Sequence, residues 1–325
     1  MPEILTVNIP FWPTSWWLRT LLVAVAVLLL PYLFSRLASP WRRVRVRSTV
    51  GATAAAKESS GLRIVTYNIA HGRGLAESNW QGGSAIERRE RLDRIGDLLK
   101  ELNADVVVLN EVDFQSSWSG GVNQAEYLAK RAGYPHWAEE RNLDFRVLLW
   151  TWQFGNAVLS RFPISSAREV PLPGEVWWET IVAGKKRAVL CEIDVPGGPL
   201  RMIGAHLAHR SEPVRVSAAK VLAAVAKQSE LPLVVAGDLN STPPGFPRAN
   251  TSGENAIEVL DAAGCFQRSP LAAPQAADMT YPSVHGESVI DWILIPKTWQ
   301  FRDYRVIESD HSDHRPIFAE IAPSP

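Results

Sequence analysis

Two short polar clusters combine carboxylates, an amide and an imidazole at the ends of apolar runs. Residues 237–240 read GDLN and residues 312–317 read SDHRPI, while apolar, β-branched runs lie upstream at 231–236 and 289–295. The end of a strand is a place where a rigid sheet holds side chains at fixed distances. Groups held in this way could bind a hard divalent cation beside a phosphate and activate a water molecule.

Two earlier apolar runs also end in polar residues, one at Asn68 and one at Glu111. The Glu111 carboxylate could bind a hard cation through oxygen, with most waters left on the ion. The Asn68 amide could donate to a phosphate oxygen or lie in the outer shell of the metal. Either residue alone would suit an ordinary solvated strand end, but four such ends together indicate a metal-dependent phosphoesterase.

Asp238 and Asn240 are two positions apart and face the same way on an extended chain. Asp238 could orient or deprotonate the attacking water, and Asn240 could hold that water or a phosphate oxygen. The alternative is a simple turn stabilised by the side chains of the Asp-x-Asn sequence itself. The apolar strand directly before the pair favours the site.

His314 needs a carboxylate on its far nitrogen to fix its tautomer and raise the pKa of its imidazolium. Asp291 or Asp313 could supply that carboxylate. His206 ends the run 200–206 and is a candidate acid for the leaving oxygen, although a lone histidine there is often structural. Three further residues lie close in sequence to these positions: His71, Arg73 and His209.

The elements that must position these residues follow from alternating extended and helical patterns. The predicted strands are 62–68, 105–111, 155–160, 187–195, 200–206, 231–238, 289–295 and 315–321, and the predicted helices are 86–102, 123–132, 213–227 and 254–262. Hairpin signals such as VPGGP at 195–199 occur among strands joined by helices. The pattern predicts an α/β (α+β) fold with two mixed sheets covered by helices.

The stretch 114–185 is rich in Trp and has no clear pattern. Its tryptophans could form a substrate rim, dip into a membrane interface or pack under long loops.

Charge is unevenly placed along the 325 residues, although the formal net charge is zero. Residues 1–60 carry a balance of about +5 and the remainder about −5. An acidic body argues against a non-specific duplex-DNA binder, which gains its affinity by neutralising phosphates. Two cysteines are too few for a disulfide scaffold, and a hydrophobic content of 46% is ample for a core.

Residues 16–37 form an apolar stretch of 22 residues, long enough to span a bilayer. The rival interpretation is a cleaved secretory signal with its core at 21–30 and its cleavage site near 37–39, and a buried helix is a third. Pro40 and the absence of Lys and Arg from the first 18 residues weaken the signal.

We therefore expect a tail at 1–15, a transmembrane anchor at 16–37, a basic flank and linker at 38–60, and a catalytic domain at 61–325. Arginines follow the span, so the positive-inside rule predicts a cytoplasmic body, whereas a cleaved signal would export it. No protein partner can be inferred from the sequence.

Seven motifs resemble, in order, those of the endonuclease/exonuclease/phosphatase superfamily, which includes deoxyribonucleases, abasic-site endonucleases, inositol-polyphosphate 5-phosphatases and neutral sphingomyelinases. They are TYN at 66–68, NE at 110–111, GNAVLSR at 155–161, AHL at 205–207, GDLN at 237–240, DWI at 291–293 and SDHRP at 312–316. The resemblance covers about residues 61–322. It implies a four-layer sandwich with the site at one edge of two packed sheets, and an activity that requires Mg²⁺, with Mn²⁺ as a substitute.

The resemblance also implies a role for each site residue. Glu111 would bind the metal, Asn68 would assist the metal and the phosphate, and Asp313 would lie beside the metal. Asp238 and Asn240 would act on the water. His314, held by Asp291, would stabilise charge or accept a proton at the phosphorus centre. His206 would be the second histidine.

Departures from the family pattern bear on the substrate. Ala70 replaces an Asp of the abasic-site branch, and Asn110 and Ala205 replace a usual Gln and Thr, while His206 is typical of the deoxyribonuclease and sphingomyelinase branches. We expect a Mg²⁺-dependent hydrolase of a phosphoester or phosphodiester, tilted toward a phospholipid-type or small phosphodiester. The alternatives are a membrane-tethered nuclease acting on nucleic acid and a non-catalytic binding protein that retains the fold.

Overall fold

The computed structural model describes residues 15–49, 51, 61–147, 149–174, 184–249, 253–272 and 274–324. These residues form two mixed β-sheets packed face to face, with helices on the outer faces and an apolar helix at the N-terminus. The predicted four-layer sandwich is confirmed.

Five α-helices lie in this part of the chain: α1 (Trp16–Ala38), α2 (Ala85–Leu102), α3 (Gln124–Ala132), α4 (Glu212–Lys227) and α5 (Ala256–Ala262). Helix α2 begins at a capping box, in which the Ser84 side chain accepts from the Glu87 backbone N–H and Glu87 bonds back to Ser84. Its buried stripe of Leu92, Ile95 and Leu99 faces the first sheet.

Thirteen strands are described: β1 (Val44–Ser48), β2 (Leu62–Asn68), β3 (Val106–Asp113), β4 (His136–Val147), β5 (Trp150–Ser160), β6 (Ile164–Pro171), β7 (Arg187–Val195), β8 (Gly198–His206), β9 (Leu233–Asp238), β10 (Phe266–Arg268), β11 (Asp291–Pro296), β12 (Trp299–Val306) and β13 (Ile317–Pro323). The first sheet has the order β1-β4-β5-β3-β2-β13-β12, and the second has the order β10-β11-β9-β8-β7-β6.

Two parallel pairs lie at the centre of the sheets, β2 with β3 and β8 with β9. All four strands finish at the same end of the sandwich, which we call the carboxyl end, and the other is the amino end. Between the sheets, apolar side chains such as Val106, Val108, Met202 and Val234 form a fully buried core. That core makes the strand ends rigid platforms.

All eight predicted strands and four predicted helices are present, with their ends shifted by a few residues. Five further strands were not predicted: β1, β4, β6, β10 and β12. Strand β1 falls in the segment 38–60 assigned to the basic flank and linker, because its arginines were interpreted as the flank of a membrane span and none of its residues is buried. Residues 52–60 and 175–183, which include Trp177 and Trp178, lie outside the described residues.

Helix α1 contains a stretch, Trp16–Ser35, that is long and apolar enough to cross a membrane. In its most apolar 18-residue window, 6% of the residues are buried against the rest of the chain. A signal sequence near an N-terminus passes the same test of length and composition.

Candidate active site

Strand register brings the predicted residues to the carboxyl end. Asn68 is opposite Asn110, which precedes Glu111, and Asp238 is opposite both His206 and Asp291. His314 lies just before β13, whose start pairs with the end of β2. Residues separated by up to 246 positions therefore meet in one cleft.

The Oδ2 atom of Asp238 lies at the centre of this cleft, facing three side-chain nitrogens. Asn68 Nδ2 is 3.0 Å away, His206 Nε2 is 3.6 Å away and His314 Nε2 is 3.8 Å away. The backbone N–H of Ala70 donates to Asn68 Oδ1 at 3.0 Å, so the amide presents its NH₂ group to the cleft. Three nitrogen groups around one anionic oxygen form a setting that would also suit a phosphoryl oxygen.

Glu111 reaches the cleft through a β-bulge in strand β3. The register with β5 shifts between Leu109 and Val112, and Glu111 has a φ of 53°. A left-handed backbone costs a non-glycine residue about 1–3 kcal/mol and is found mainly where function requires it. The bulge directs the carboxylate to Asn68 Nδ2, 3.3 Å from Oε1, and to His71 Nε2, 3.4 Å from Oε2.

His314 is held by Asp291. Its Nδ1 lies 2.9 Å from Asp291 Oδ2, both side chains are buried, and the Tyr281 ring packs 4.9 Å from the imidazole. The hydrogen bond makes Nδ1 the donor to the carboxylate and leaves Nε2 facing Asp238 and Asn68.

Asp238 is positioned by a close backbone approach. A Cβ on Gly237 would lie 1.9 Å from the Ala205 carbonyl oxygen, so only glycine fits there. Asn110 Oδ1 accepts from the Asp238 backbone N–H at 2.9 Å. The backbone N–H of Asn240 donates to Asp238 Oδ1 at 2.9 Å, and its side-chain NH₂ donates to Leu207.

Asp313 forms an ion pair with Arg73. Both terminal nitrogens of Arg73 donate to Asp313 Oδ2, at 3.0 and 2.7 Å. The preceding Ser312 hydroxyl donates to the Asn68 carbonyl at 2.7 Å, which ties the segment before β13 to the end of β2. Arg73 therefore balances the negative charge of Asp313.

The pKa values of Asp238 and His314 are both raised. Burial, reinforced by Asp291, raises the pKa of Asp238 to about 7. Burial alone would lower the pKa of His314, but Asp291 and Asp238 outweigh it and raise that pKa to about 10. At neutral pH, Asp238 is thus poised to exchange a proton while His314 carries a positive charge.

The pKa values of Glu111 and His206 are lowered instead. Burial opposes ionisation of Glu111, but the positive charges of His71 and Arg73 outweigh it and hold its pKa far below the usual range. Burial, with help from Lys186, holds the pKa of His206 well below its ordinary value. Glu111 is therefore a permanent anion, and His206 is neutral in the free protein.

The donor set fits a hard divalent cation. Glu111 is anionic, 23% exposed at its side chain and bulged toward the cleft, and oxygen donors of this kind suit Mg²⁺ or Mn²⁺. Ligand atoms of Asp238, Asp291 and His314 also lie within 4.8 Å of one another. We interpret that trio as a histidine–aspartate pair beside a base, because Asp291 occupies His314 Nδ1.

Three groups in the cleft are absent from the main predicted set. His71 joins Asp113, 2.9 Å from its Nδ1, to Glu111, and it also has a left-handed φ of 54°. Arg73 neutralises Asp313. For His71 and Arg73 the sequence signal was their closeness to Asn68, whereas nothing in the sequence marks Asp113.

Comparisons with known proteins found a matching family model and similar solved structures. The model of the endonuclease/exonuclease/phosphatase family matches residues 65–314, which is more than half of the chain. No curated protein matches the chain significantly.

Several solved structures share the fold. An endonuclease/exonuclease/phosphatase from Beutenbergia cavernae is 21% identical, with a TM-score of 0.60 over 82% of this chain and 72% of that one. The catalytic domain of human Nocturnin with bound sulfate is 15% identical, with a TM-score of 0.58 over 88% and 98%. A mannosyl-6-phosphatase from Bacteroides thetaiotaomicron is 14% identical, with a TM-score of 0.55 over 80% and 99%. At these identities, the likeness establishes the architecture.

Proposed function

Because the chain belongs to the endonuclease/exonuclease/phosphatase family, whose members hydrolyse phosphoester bonds, we propose that it is a Mg²⁺-dependent phosphodiesterase tethered to a membrane. The observation that carries the proposal is the position of Asp238 Oδ2 between Asn68, His206 and an Asp291-backed His314, next to the anionic Glu111. A non-catalytic relative would have no need for this buried and strained set of charges.

In the proposed reaction, Asp238 accepts a proton from the attacking water. Its raised pKa gives it the proton affinity of a general base near neutral pH. The backbone N–H of Asn240 orients the carboxylate through Oδ1, which leaves Oδ2 toward the water. The side-chain amide of Asn240 holds the same water or a phosphate oxygen.

His314 and Asn68 face the developing charge on phosphorus. The Nε2–H of a protonated His314 and the NH₂ of Asn68 are 3.4 Å apart and both point into the cleft. Each can donate to a phosphoryl oxygen, and Asp291 keeps the imidazolium charged and oriented. His206 could protonate the leaving oxygen once the charge of a bound phosphate raises its pKa.

Glu111 would hold the metal directly, with Asn68 and Asp313 beside it. A bound Mg²⁺ would supply Lewis-acid polarisation of the phosphoryl group. Two neighbouring groups support these metal-binding roles. His71 orients the Glu111 carboxylate, and Arg73 balances the charge of Asp313.

We further propose that residues 16–37 anchor the chain and that residues 61–325 form a single catalytic domain, whose first sheet β1 joins. By the positive-inside rule this domain faces the cytoplasm. A membrane anchor and an acidic body favour a lipid head group or a small phosphodiester over duplex DNA. A membrane-tethered nuclease is the alternative.

A substrate panel tests the proposal. The full chain in Mg²⁺ is offered bis(p-nitrophenyl) phosphate, sphingomyelin and phosphatidylinositol phosphate vesicles, and plasmid DNA. We expect turnover of the chromogenic diester and of a lipid, with loss of both in His314→Ala. Preferential cleavage of plasmid would favour the nuclease, and the absence of turnover on every substrate would reject catalysis.

A further inference from the structure

Helix α1 is attached at the carboxyl end of the sandwich, where the candidate site lies. Strand β1 follows α1 and pairs antiparallel with β4, and β5 is antiparallel to both β4 and β3. Strands β4 and β3 therefore run in the same direction, and β1 runs in the opposite one. Since β1 begins at the carboxyl end, the helix before it leaves from that end.

Side-chain contacts fix the helix against β4. Arg42 forms a 2.8 Å ion pair with the fully buried Asp144 carboxylate, and Ser35 Oγ accepts from the Arg146 backbone N–H at 2.9 Å. The contacts move from Asp144 to Arg146 along β4 as they move from Arg42 up into the helix. The tip of the β4–β5 hairpin therefore points along the helix, toward its apolar stretch.

That hairpin tip is exposed and apolar. Leu149 is 98% exposed and Trp150 is 42% exposed. Trp150 lies four residues before Phe154, which pairs with Asp113 at the end of β3, so the tip extends about 13 Å beyond that strand. A protruding Leu-Trp pair is costly in water and favourable at a lipid interface.

A row of aromatic rings connects the helix to the site. Tyr32 contacts Phe145 at 6.1 Å, Phe145 contacts Trp152 at 5.6 Å, and Trp152 contacts Trp118 at 5.9 Å. Trp118 then packs 5.1 Å from the His71 ring, which contacts Glu111. Trp80, which is 69% exposed, packs on Trp118 at 5.8 Å. We call these rings the aromatic row.

We propose that the hairpin tip and Trp80 contact the bilayer entered by α1, so that the active site faces the head-group layer and takes a phosphodiester carried on a lipid. The catalytic part of this inference rests on the proposed hydrolysis, and the orientation rests on the proposed membrane anchor. The occupant is a bilayer, because the surface is continuous with the 20-residue apolar stretch of α1 through the aromatic row. Aromatic and apolar side chains of this kind settle at the membrane–water interface.

Spin-label depth measurements test the orientation. The full chain, with Cys265→Ser, is reconstituted into phosphatidylcholine/phosphatidylglycerol vesicles and labelled at Leu149→Cys or at Asp194→Cys. Asp194 is an exposed control at the amino end, and the remaining Cys191 is fully buried. We expect the label at 149 to be accessible to oxygen and shielded from a water-soluble nickel complex, and the label at 194 to show the reverse. Equal access of the nickel complex to both labels would overturn the proposal.

Activity measurements separate this inference from the proposed function. Leu149→Asp should lower hydrolysis of the vesicle phosphodiester about tenfold while leaving soluble bis(p-nitrophenyl) phosphate within about twofold, since only interfacial contact is lost. Pro196→Asp, at the amino end, should change neither rate. Equal effects of Leu149→Asp on both substrates would overturn the inference. If the wild type cleaves neither substrate, the proposed function fails, and the label depths still decide the orientation.

Discussion

The two ends of the sandwich are built from the same strands and hold opposite kinds of residue. At the amino end lies a groove of about 680 Å³, lined by apolar residues such as Leu62, Phe162 and Trp299. Asp105 lies there too, and it accepts a 2.8 Å bond from the Arg63 backbone in an ordinary structural role. The carboxyl end instead collects buried charges around Asp238 and left-handed backbones at Glu111 and Asn240. Buried charge and strained backbone, rather than the volume of a cavity, distinguish a candidate active site.

The largest expected effect comes from removing the central charges. Asp238→Asn and His314→Ala should each lower kcat by at least ~10²-fold, because one removes the base and the other removes charge stabilisation. Asp105→Asn makes the same chemical change at the amino end and should leave kcat within about twofold. Steady-state kinetics on a chromogenic diester measures kcat for all three variants. A large loss in Asp105→Asn would show that the two ends do not differ in their importance for catalysis.

Two glycine-to-alanine substitutions, one at each end of the sandwich, should differ in their effect on the free energy of unfolding. Gly237→Ala should destabilise the protein by about 3 kcal/mol or more, because its Cβ would meet the Ala205 carbonyl oxygen. Gly197 also has a positive φ, of 99°, but its Cβ would meet nothing within 4 Å. Gly197→Ala should therefore cost only about 1 kcal/mol, for backbone strain. Equal midpoints in urea for the two variants would contradict the close approach at the site.

Asp291 should matter less than the histidine it orients. Asp291→Asn leaves the imidazole in place but poorly oriented and less basic, so a loss of about 10–100-fold is expected. Because the two residues act as one unit, adding Asp291→Asn to His314→Ala should worsen kcat little. Multiplicative losses in the double variant would assign Asp291 a separate role.

The pH profile should have two limbs. A base with a pKa of about 7 works only when deprotonated, so kcat/KM should rise with pH through that region. An imidazolium with a pKa of about 10 works only when protonated, so the rate should fall above that value. Asp105→Asn should leave both limbs in place, whereas Asp291→Asn should move the upper limb to lower pH. An alkaline limb unchanged in Asp291→Asn would show that it does not belong to His314.

Much of this arrangement could be predicted from sequence. The predicted strand ends carry Asn68, Glu111, His206 and Asp238, and parallel register then forces them together. The residue pattern left open whether Asp291 or Asp313 supports His314, and the family resemblance implied Asp291. The structure places Asp291 on the His314 Nδ1 and Arg73 on Asp313.

Other features depend on tertiary contacts that sequence patterns do not encode. The bulge at Glu111 and the inward turn of His71 exist because β5 and Asp113 impose them. Strand β4 was missed because its charged residues, such as Glu139, Glu140 and Arg141, are buried and break the expected alternation. Glu140 accepts from the Asn156 side chain, whereas Glu139 and Arg141 form an ion pair with each other.

The decisive test of metal-assisted hydrolysis combines metal dependence with substitution of Glu111. Hydrolysis of bis(p-nitrophenyl) phosphate is followed in wild type and in Glu111→Gln, after chelation and during titration with Mg²⁺ or Mn²⁺. We predict no activity in EDTA, recovery of wild-type activity on adding either ion, and a Glu111→Gln variant that stays at least ~10²-fold slower or requires far more metal. Full activity of chelated wild-type protein, or an unchanged metal titration in Glu111→Gln, would contradict it.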